Sequence, residues 1–263
     1  MSDYKILIML GMKLKRAKLV LEKYKDYEKK VVFFSGGKDS LVALDLAYQV
    51  WGDDFKVVFV EVVGNTHPLC IDYVENTVNS YGLELIHLKT DVDFFDMLAK
   101  TGYFWCGLRL KSRPFRTVEK DVSVKGHRTA AENIQTHSTA VGRSIWAIRG
   151  VPDAFMGVEM RDYRVDVNGK ALLNPVWEFS ASDIDKYFED RGLSLNPCYS
   201  MFMRAGDCVF CPTMLRREFL MIKENAPEFF ERWKQAHEKL RSSGRVGKES
   251  YFKRFDEWYE KYC

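Results

Sequence analysis

The six residues Ser35-Gly36-Gly37-Lys38-Asp39-Ser40 carry the clearest chemistry in the chain. Adjacent glycines let a backbone approach an anion closely. Two serine hydroxyls and one mobile ammonium add donors, so the set suits a phosphate. The stretch follows Val31–Phe34, a short β-branched and aromatic run with the composition of a buried strand. It precedes Leu41, Val42, Leu44 and Leu46, which open a helix. Strand, glycine turn and helix N-terminus together aim backbone N–H groups at one spot. The ATPase P-loop needs four residues between its first glycine and Gly-Lys, so this is a different phosphate loop. The plain alternative is a glycine turn that binds nothing. A second group is thiol chemistry. Cys208-x-x-Cys211 brings two sulfurs within reach of one metal centre, or of each other as a redox dithiol.

The elements that must position these groups can be read along the chain. Leu10, Leu14, Ala17, Leu21 and Tyr24 form one stripe of an amphipathic helix, with lysines on the other face. Lys56–Val63 reads as a second strand and ends at Gly64-Asn65-Thr66. Ligands of open parallel sheets sit at the carboxyl ends of strands, so Asn65 and Thr66 are candidates to meet a nucleotide. A helix over Pro68–Tyr81 and a strand over Leu83–Leu88 follow. Alternation at this spacing predicts an α/β fold, a doubly wound, mostly parallel sheet. Val118–Ile148 is polar and helix-permissive, and its His127 and His137 read as exposed side chains. Beyond Pro212 the sequence is helical. Tyr251, Phe255, Trp258 and Tyr262 form a stripe that suits a core better than base stacking. The predicted division is an N-terminal helix over 1–29, a nucleotide-binding α/β domain over 30–197, and a cysteine-containing segment with C-terminal helices over 198–263.

Composition sets the class. The chain has 263 residues, 46% hydrophobic and 29% charged, which is ordinary for a soluble globular protein. No apolar run approaches a membrane span, and Ile6–Met12 reads as the start of a helix rather than a signal peptide. The expected setting is cytoplasmic. Residues 1–30 hold nine Lys or Arg against four Asp or Glu, and residues 214–263 hold twelve against nine. Basic ends suit a nucleic-acid acceptor, and they equally suit solvated helix faces. Six cysteines without a secretory signal argue against a disulfide framework. Cys70 reads as a small buried hydrophobe.

Ser35–Ser40 resembles the PP-loop of the ATP pyrophosphatases and the adenine nucleotide α-hydrolase-like enzymes. The resemblance implies a Rossmann-like fold, a cradle for the β,γ-pyrophosphate of ATP, and cleavage between the α and β phosphates. Four further segments resemble the phosphoadenosine phosphosulfate (PAPS) reductase family. Cys106, Lys111 and Pro114 follow its Trp-Cys, Leu-Lys, Pro order. Gly157, Arg161 and Arg164 match its Gly, Arg, Arg segment, although Asp162-Tyr163 stands where Glu-Ser is usual. Asn174-Pro175, Trp177 and Ser180–Ile184 resemble its turn into a helix, with Ser180 or Ser182 as N-cap. Asn196-Pro197-Cys198-Tyr199, Arg204, Gly206, Cys208, Cys211 and Pro212 resemble its ending, with Asp207 inserted after Gly206. Asn65 and Thr66 also match the segment after the family's second strand, with His67 where glycine is usual.

Carried over residue by residue, the resemblance implies nucleotide contacts from Ser35, Gly36, Gly37, Lys38, Asp39, Ser40, Asn65, Thr66, Lys111, Gly157, Arg161 and Arg164. Lys38, Asp39 and Arg161 are the catalytic candidates. Cys106, Cys198, Cys208 and Cys211 are the candidate metal ligands. Part of the family carries a [4Fe–4S] cluster on cysteines so placed, and structural Zn²⁺ is the alternative. The expected reaction is ATP-dependent adenylation with Mg²⁺ in a sulfur transfer, with tRNA or DNA as acceptor classes and a homodimer as the assembly. A sulfonucleotide reductase acting on PAPS or adenylyl sulfate is the rival reading. It lacks the usual Glu-Cys-Gly nucleophile segment here, where only Cys263 stands near the end. A nucleotide-binding partner subunit without catalysis is the reading from another class.

Overall fold

Strand β1 (Lys30–Phe33) is buried along its whole length. A strand covered by helices on both faces has no polar side to show, which is why its apolar run is continuous rather than alternating. The computed structural model describes residues 3–102, 110–120, 122–125, 163–165, 171–211, 214–244 and 250–263. After β1 come α2 (Lys38–Trp51), β2 (Lys56–Glu61), α3 (Pro68–Ser80), β3 (Glu84–Lys89), α4 (Phe94–Thr101), α5 (Ser112–Thr117), β4 (Val122–Lys125), β5 (Tyr163–Val165) and β6 (Ala171–Leu173). Helix α1 (Asp3–Glu22) precedes them.

The strands form one sheet in the order β3-β2-β1-β4-β6-β5. Five run parallel, and β5 is antiparallel to β6 at the edge. The chain therefore steps outward from β1 to β3, then comes back to lay β4 on the other side of β1. This reversal opens a crevice at the carboxyl end of β1, the usual ligand position in such sheets. Ser35–Ser40 occupies that position. The α/β, mostly parallel architecture is the one the sequence predicts.

One expectation is corrected. The segment from Val118 reads as helix-permissive, yet Val122–Lys125 is a sheet strand pairing with β1 from Lys30↔Val122 to Phe33↔Lys125. It is only four residues long, with Val122 and Val124 buried, which is too short for its period to show against the polar residues around it. His127 and His137 lie outside the described residues.

Helix α1 buries Leu10, Ala17 and Leu21, with Tyr24 just beyond its end, as its stripe predicts. The indole of Trp51 donates to the Leu21 carbonyl at 3.0 Å. Lys13 also reaches Asp183 at 2.5 Å in α6 (Ala181–Arg191). Ser180 caps α6 through a reciprocal box, accepting from Asp183 N while its own N–H donates to the Asp183 carboxylate at 2.7 Å. Four more helices follow: α7 (Cys198–Phe202), α8 (Arg216–Asn225), α9 (Pro227–Ser242) and α10 (Ser250–Tyr262). Phe210 stacks on Trp233 of α9 at 5.6 Å, and Phe219, Phe255 and Trp258 pack around them. The C-terminal aromatic stripe thus faces the core at Phe255 and Trp258. One apolar cluster runs from Leu10 to Trp258. Among the described residues, no helix is long and apolar enough to cross a membrane.

Candidate active site

The loop between β1 and α2 is closed by its own hydroxyls. Ser40 Oγ donates to the Gly37 carbonyl at 2.8 Å and accepts from the Ser35 N–H at 3.3 Å. Ser35 Oγ lies 3.2 Å from it. Gly36 has φ +74°, and a Cβ there would stand 2.9 Å from Asn196 Nδ2 and 3.0 Å from Cys70 Sγ. Glycine is therefore required both by the backbone and by the packing beneath it. Gly37 is the N-cap of α2, and Asp39 lies in its first turn. Lys38 Nζ extends to Asp185 of α6 at 3.4 Å.

The loop is braced from below by a segment far along the chain. Asn196 Nδ2 donates to the Gly36 carbonyl at 3.0 Å and to the Ala205 carbonyl at 2.7 Å. Its Oδ1 accepts from the Cys198 N–H at 2.9 Å. The Lys38 N–H donates to the Tyr199 hydroxyl at 3.2 Å. Burial holds the Tyr199 phenol well above its ordinary pKa, so it stays protonated. Sequence reasoning assigned no site role to Asn196 or Tyr199. The Asn-Pro-x-Tyr run was the available signal.

Asn65 and Thr66 are placed differently from a nucleotide contact. Asn65 is fully buried, donating through Nδ2 to the Phe210 carbonyl at 2.9 Å and accepting on Oδ1 from the Phe210 N–H at 2.8 Å. Thr66 Oγ1 donates to the Asp207 carbonyl at 3.0 Å and accepts from Val62 N at 2.8 Å. The Val209 N–H donates to the Asn65 carbonyl, and the His67 N–H to the Gly206 carbonyl, each at 2.8 Å. These bonds splice residues 206–210 onto the carboxyl end of β2, beside the loop. Asn65 and Thr66 hold the cysteine segment in place.

The cysteines fall into two settings. Cys70 and Cys198 are buried against Gly206, where a Cβ would sit 2.7 Å from Cys198 Sγ and 3.3 Å from Cys70 Cβ. Cys198 Sγ is 3.9 Å from His67 Nδ1, the ring atom that accepts from Leu69 N at 3.2 Å. Burial keeps that imidazole below its ordinary pKa and neutral. Burial pushes the Cys70 thiol far up, and the Cys198 thiol to about 12, with Asp207 adding to both. Cys208 and Cys211 instead meet cations. Lys111 Nζ binds the Asp207 carboxylate and reaches Cys208. Burial raises Cys208 to about 11, and Lys111 opposes that rise. The Arg204 guanidinium lies in the field of Cys211 and binds Glu218 at 3.3 Å.

Among the described residues, no group of three or more His, Cys, Asp or Glu is arranged to hold a metal ion. Cys198 is thus not gathered with Cys208 and Cys211, because its sulfur is turned against Gly206 and His67. Cys208 and Cys211 lie in each other's field, so of the candidate ligands among the described residues these two suit one thiolate-ligated metal. Cys106, Gly157 and Arg161 lie outside the described residues. Arg164 is in β5, three strands out from β1, so the two backbones are roughly 14 Å apart at ordinary strand spacing. Lys111, expected at the nucleotide, binds Asp207. Asp207 is the inserted residue, and that departure from the family pattern was its only sequence signal.

A phosphate loop at the reversal point of a parallel sheet, with a Cys-x-x-Cys turn spliced beside it, defines a PP-loop nucleotide-binding α/β protein. Residues 29–214 match the phosphoadenosine phosphosulfate reductase domain family, and the chain belongs to that family. It is 26% identical to the uncharacterized protein MJ0973 of Methanocaldococcus jannaschii over 76% of this chain and 45% of that one. It is 28% identical to MJ0066 of the same organism over 77% of this chain and 40% of that one. The chain thus spans less than half the length of these curated relatives. Among solved structures, Candida glabrata FMN adenylyltransferase with FMN and an ATP analog aligns at TM-score 0.50 and 16% identity, over 77% of this chain and 64% of that one. The U34-tRNA thiolase NcsA of Methanococcus maripaludis, with its [4Fe-4S] cluster, aligns at TM-score 0.50 and 14% identity, over 88% and 80%. At such identities these two likenesses describe the fold.

Proposed function

We propose that this protein cleaves ATP between the α and β phosphates, adenylating an acceptor in a sulfur-transfer reaction. The observation that carries the reading is the complete Ser35–Ser40 loop at the α2 N-terminus, closed by its own serines. Backbone N–H groups of Gly36, Gly37 and the first turn would hold the leaving pyrophosphate. Lys38, only weakly held by Asp185 at 3.4 Å, would swing to it. Mg²⁺ would neutralise charge on the leaving group. Arg161 and Asp39 remain the further catalytic candidates of this reading.

Cys208 and Cys211 are proposed as thiolate ligands of a metal centre, with Cys106 as a third. An iron–sulfur cluster is favoured over zinc because part of the resembling family carries one, as does the NcsA neighbour. Such a centre would supply a site for handling sulfur next to the adenylated acceptor. Lys111 and Arg204 would balance the charge of its thiolates. A nucleic acid, tRNA or DNA, is the proposed acceptor class, met by the basic ends of the chain.

The test is product analysis on protein purified without oxygen. Mg-ATP with candidate acceptors should yield AMP and pyrophosphate together. Sulfite released from PAPS or adenylyl sulfate with a thiol reductant, with ATP acting only as a competitor, would replace this reading with the reductase. Binding of ATP with no turnover under any of these conditions would leave a nucleotide-binding subunit.

A further inference from the structure

We propose that Tyr199 is a phosphate-binding residue, its phenol donating a hydrogen bond to the polyphosphate held at the α2 N-terminus. The proposal rests on reading Ser35–Ser40 as a polyphosphate site. Tyr199 Oη sits 3.2 Å from the Lys38 nitrogen, whose N–H it accepts, and 3.6 Å from where a Cβ on Gly37 would stand. The hydroxyl is therefore on the mouth of the loop. It accepts one bond there, while its own proton has no acceptor among the described residues. A hydroxyl donor with no acceptor among the described residues, beside the N–H groups that would face an anion, is suited to an incoming phosphate oxygen.

The position of this donor is built, not incidental. Tyr199 lies in α7, which follows directly on Asn196-Pro197. Asn196 grips the loop at the Gly36 carbonyl while Tyr199 meets it at Lys38, so one short run touches the loop on two sides. Asn196 also holds the Cys198 N–H and the Ala205 carbonyl, which fixes the start of α7. Asn196 is the positioning residue, and Tyr199 would touch the ligand. A phenylalanine could fill the same space. Only the hydroxyl oxygen adds the contact at Lys38.

The opposite role is a plug. If Tyr199 only occupies the Lys38 N–H, it competes with an anion, and removing the hydroxyl would tighten binding. The test is Tyr199→Phe in the full chain, titrated calorimetrically with Mg-ATP, with inorganic pyrophosphate and with AMP. The expected result is at least about tenfold weaker ATP and pyrophosphate binding, the scale of one hydrogen bond to a charged group. AMP, which lacks the β and γ phosphates, should bind as to wild type. An unshifted melting temperature establishes that the ring still packs. Unchanged or tighter pyrophosphate binding would overturn the proposal. Wild-type protein that binds neither ATP nor pyrophosphate would overturn the loop reading along with it. Wild-type binding that Tyr199→Phe leaves untouched would overturn the Tyr199 role alone.

Discussion

Cys70 and Cys198 lie under the loop, and Cys208 and Cys211 lie beside it, yet their surroundings differ in kind. The first two pack against Gly206, where burial first and Asp207 next oppose thiolate formation, with Lys111 a lesser counterweight at Cys70. At Cys208, Lys111 acts against the burial that raises the thiol and outweighs Asp207, and Arg204 lies in the field of Cys211. Thiolates ligate metals and thiols do not, so a cation beside the sulfur would favour Cys208 over Cys198 as a ligand. Cys70 and Cys198 act as packing groups that shape the floor of the phosphate loop. Cys208 and Cys211 are the pair proposed as metal ligands. Spacing along the chain could not make that distinction, because it counts cysteines without seeing what faces them.

The largest expected effect is on metal content. Protein prepared anaerobically should be brown, with about four irons per chain, the content of a cubane cluster. Cys208→Ser or Cys211→Ser should bleach it, while Cys70→Ser should keep both colour and iron. Iron that survives both of the first changes would break the division between the pairs.

Next is Gly206→Ala. The residue has φ +79°, and a Cβ would stand 2.7 Å from Cys198 Sγ. Left-handed strain and overpacking together should cost about 2–5 kcal/mol. Urea unfolding measures it, and an unchanged midpoint would mean that the floor is loosely packed. A smaller effect is expected for Lys111→Met, which leaves Asp207 beside Cys208 without its cation. A loss of about 1–3 kcal/mol in the same unfolding measurement is predicted. No loss would show that the lysine matters only once a ligand is bound.

The loop itself was legible because it is local. Val31–Phe34, the glycine pair and the helix after it are contiguous, and their pattern needs no partner to be seen. The α1 stripe, the Ser180 cap and the inward face of Phe255 and Trp258 were legible for the same reason. Strand β4 was not, since four residues show too little of a period. Nor were the bonds that assemble the site. Asn65 reaches Phe210, Asn196 reaches Gly36 and Lys111 reaches Asp207 across about a hundred residues or more. An asparagine that mimics a backbone partner looks, in sequence, like one that awaits a ligand. Asn65 was read as the second and is the first. Cys70 read correctly as a buried group, but its position against Gly36 comes only from the fold.

The central claim is that Ser35–Ser40 is a working polyphosphate site, and its most direct measurement is the affinity for Mg-ATP of wild type against Lys38→Ala. Losing one charge-assisted phosphate contact should weaken binding by about 1.5–3 kcal/mol, roughly ten- to a hundredfold, with the melting temperature of the free protein unchanged. Equal affinity in the two proteins, or no ATP binding by wild type, would contradict the account.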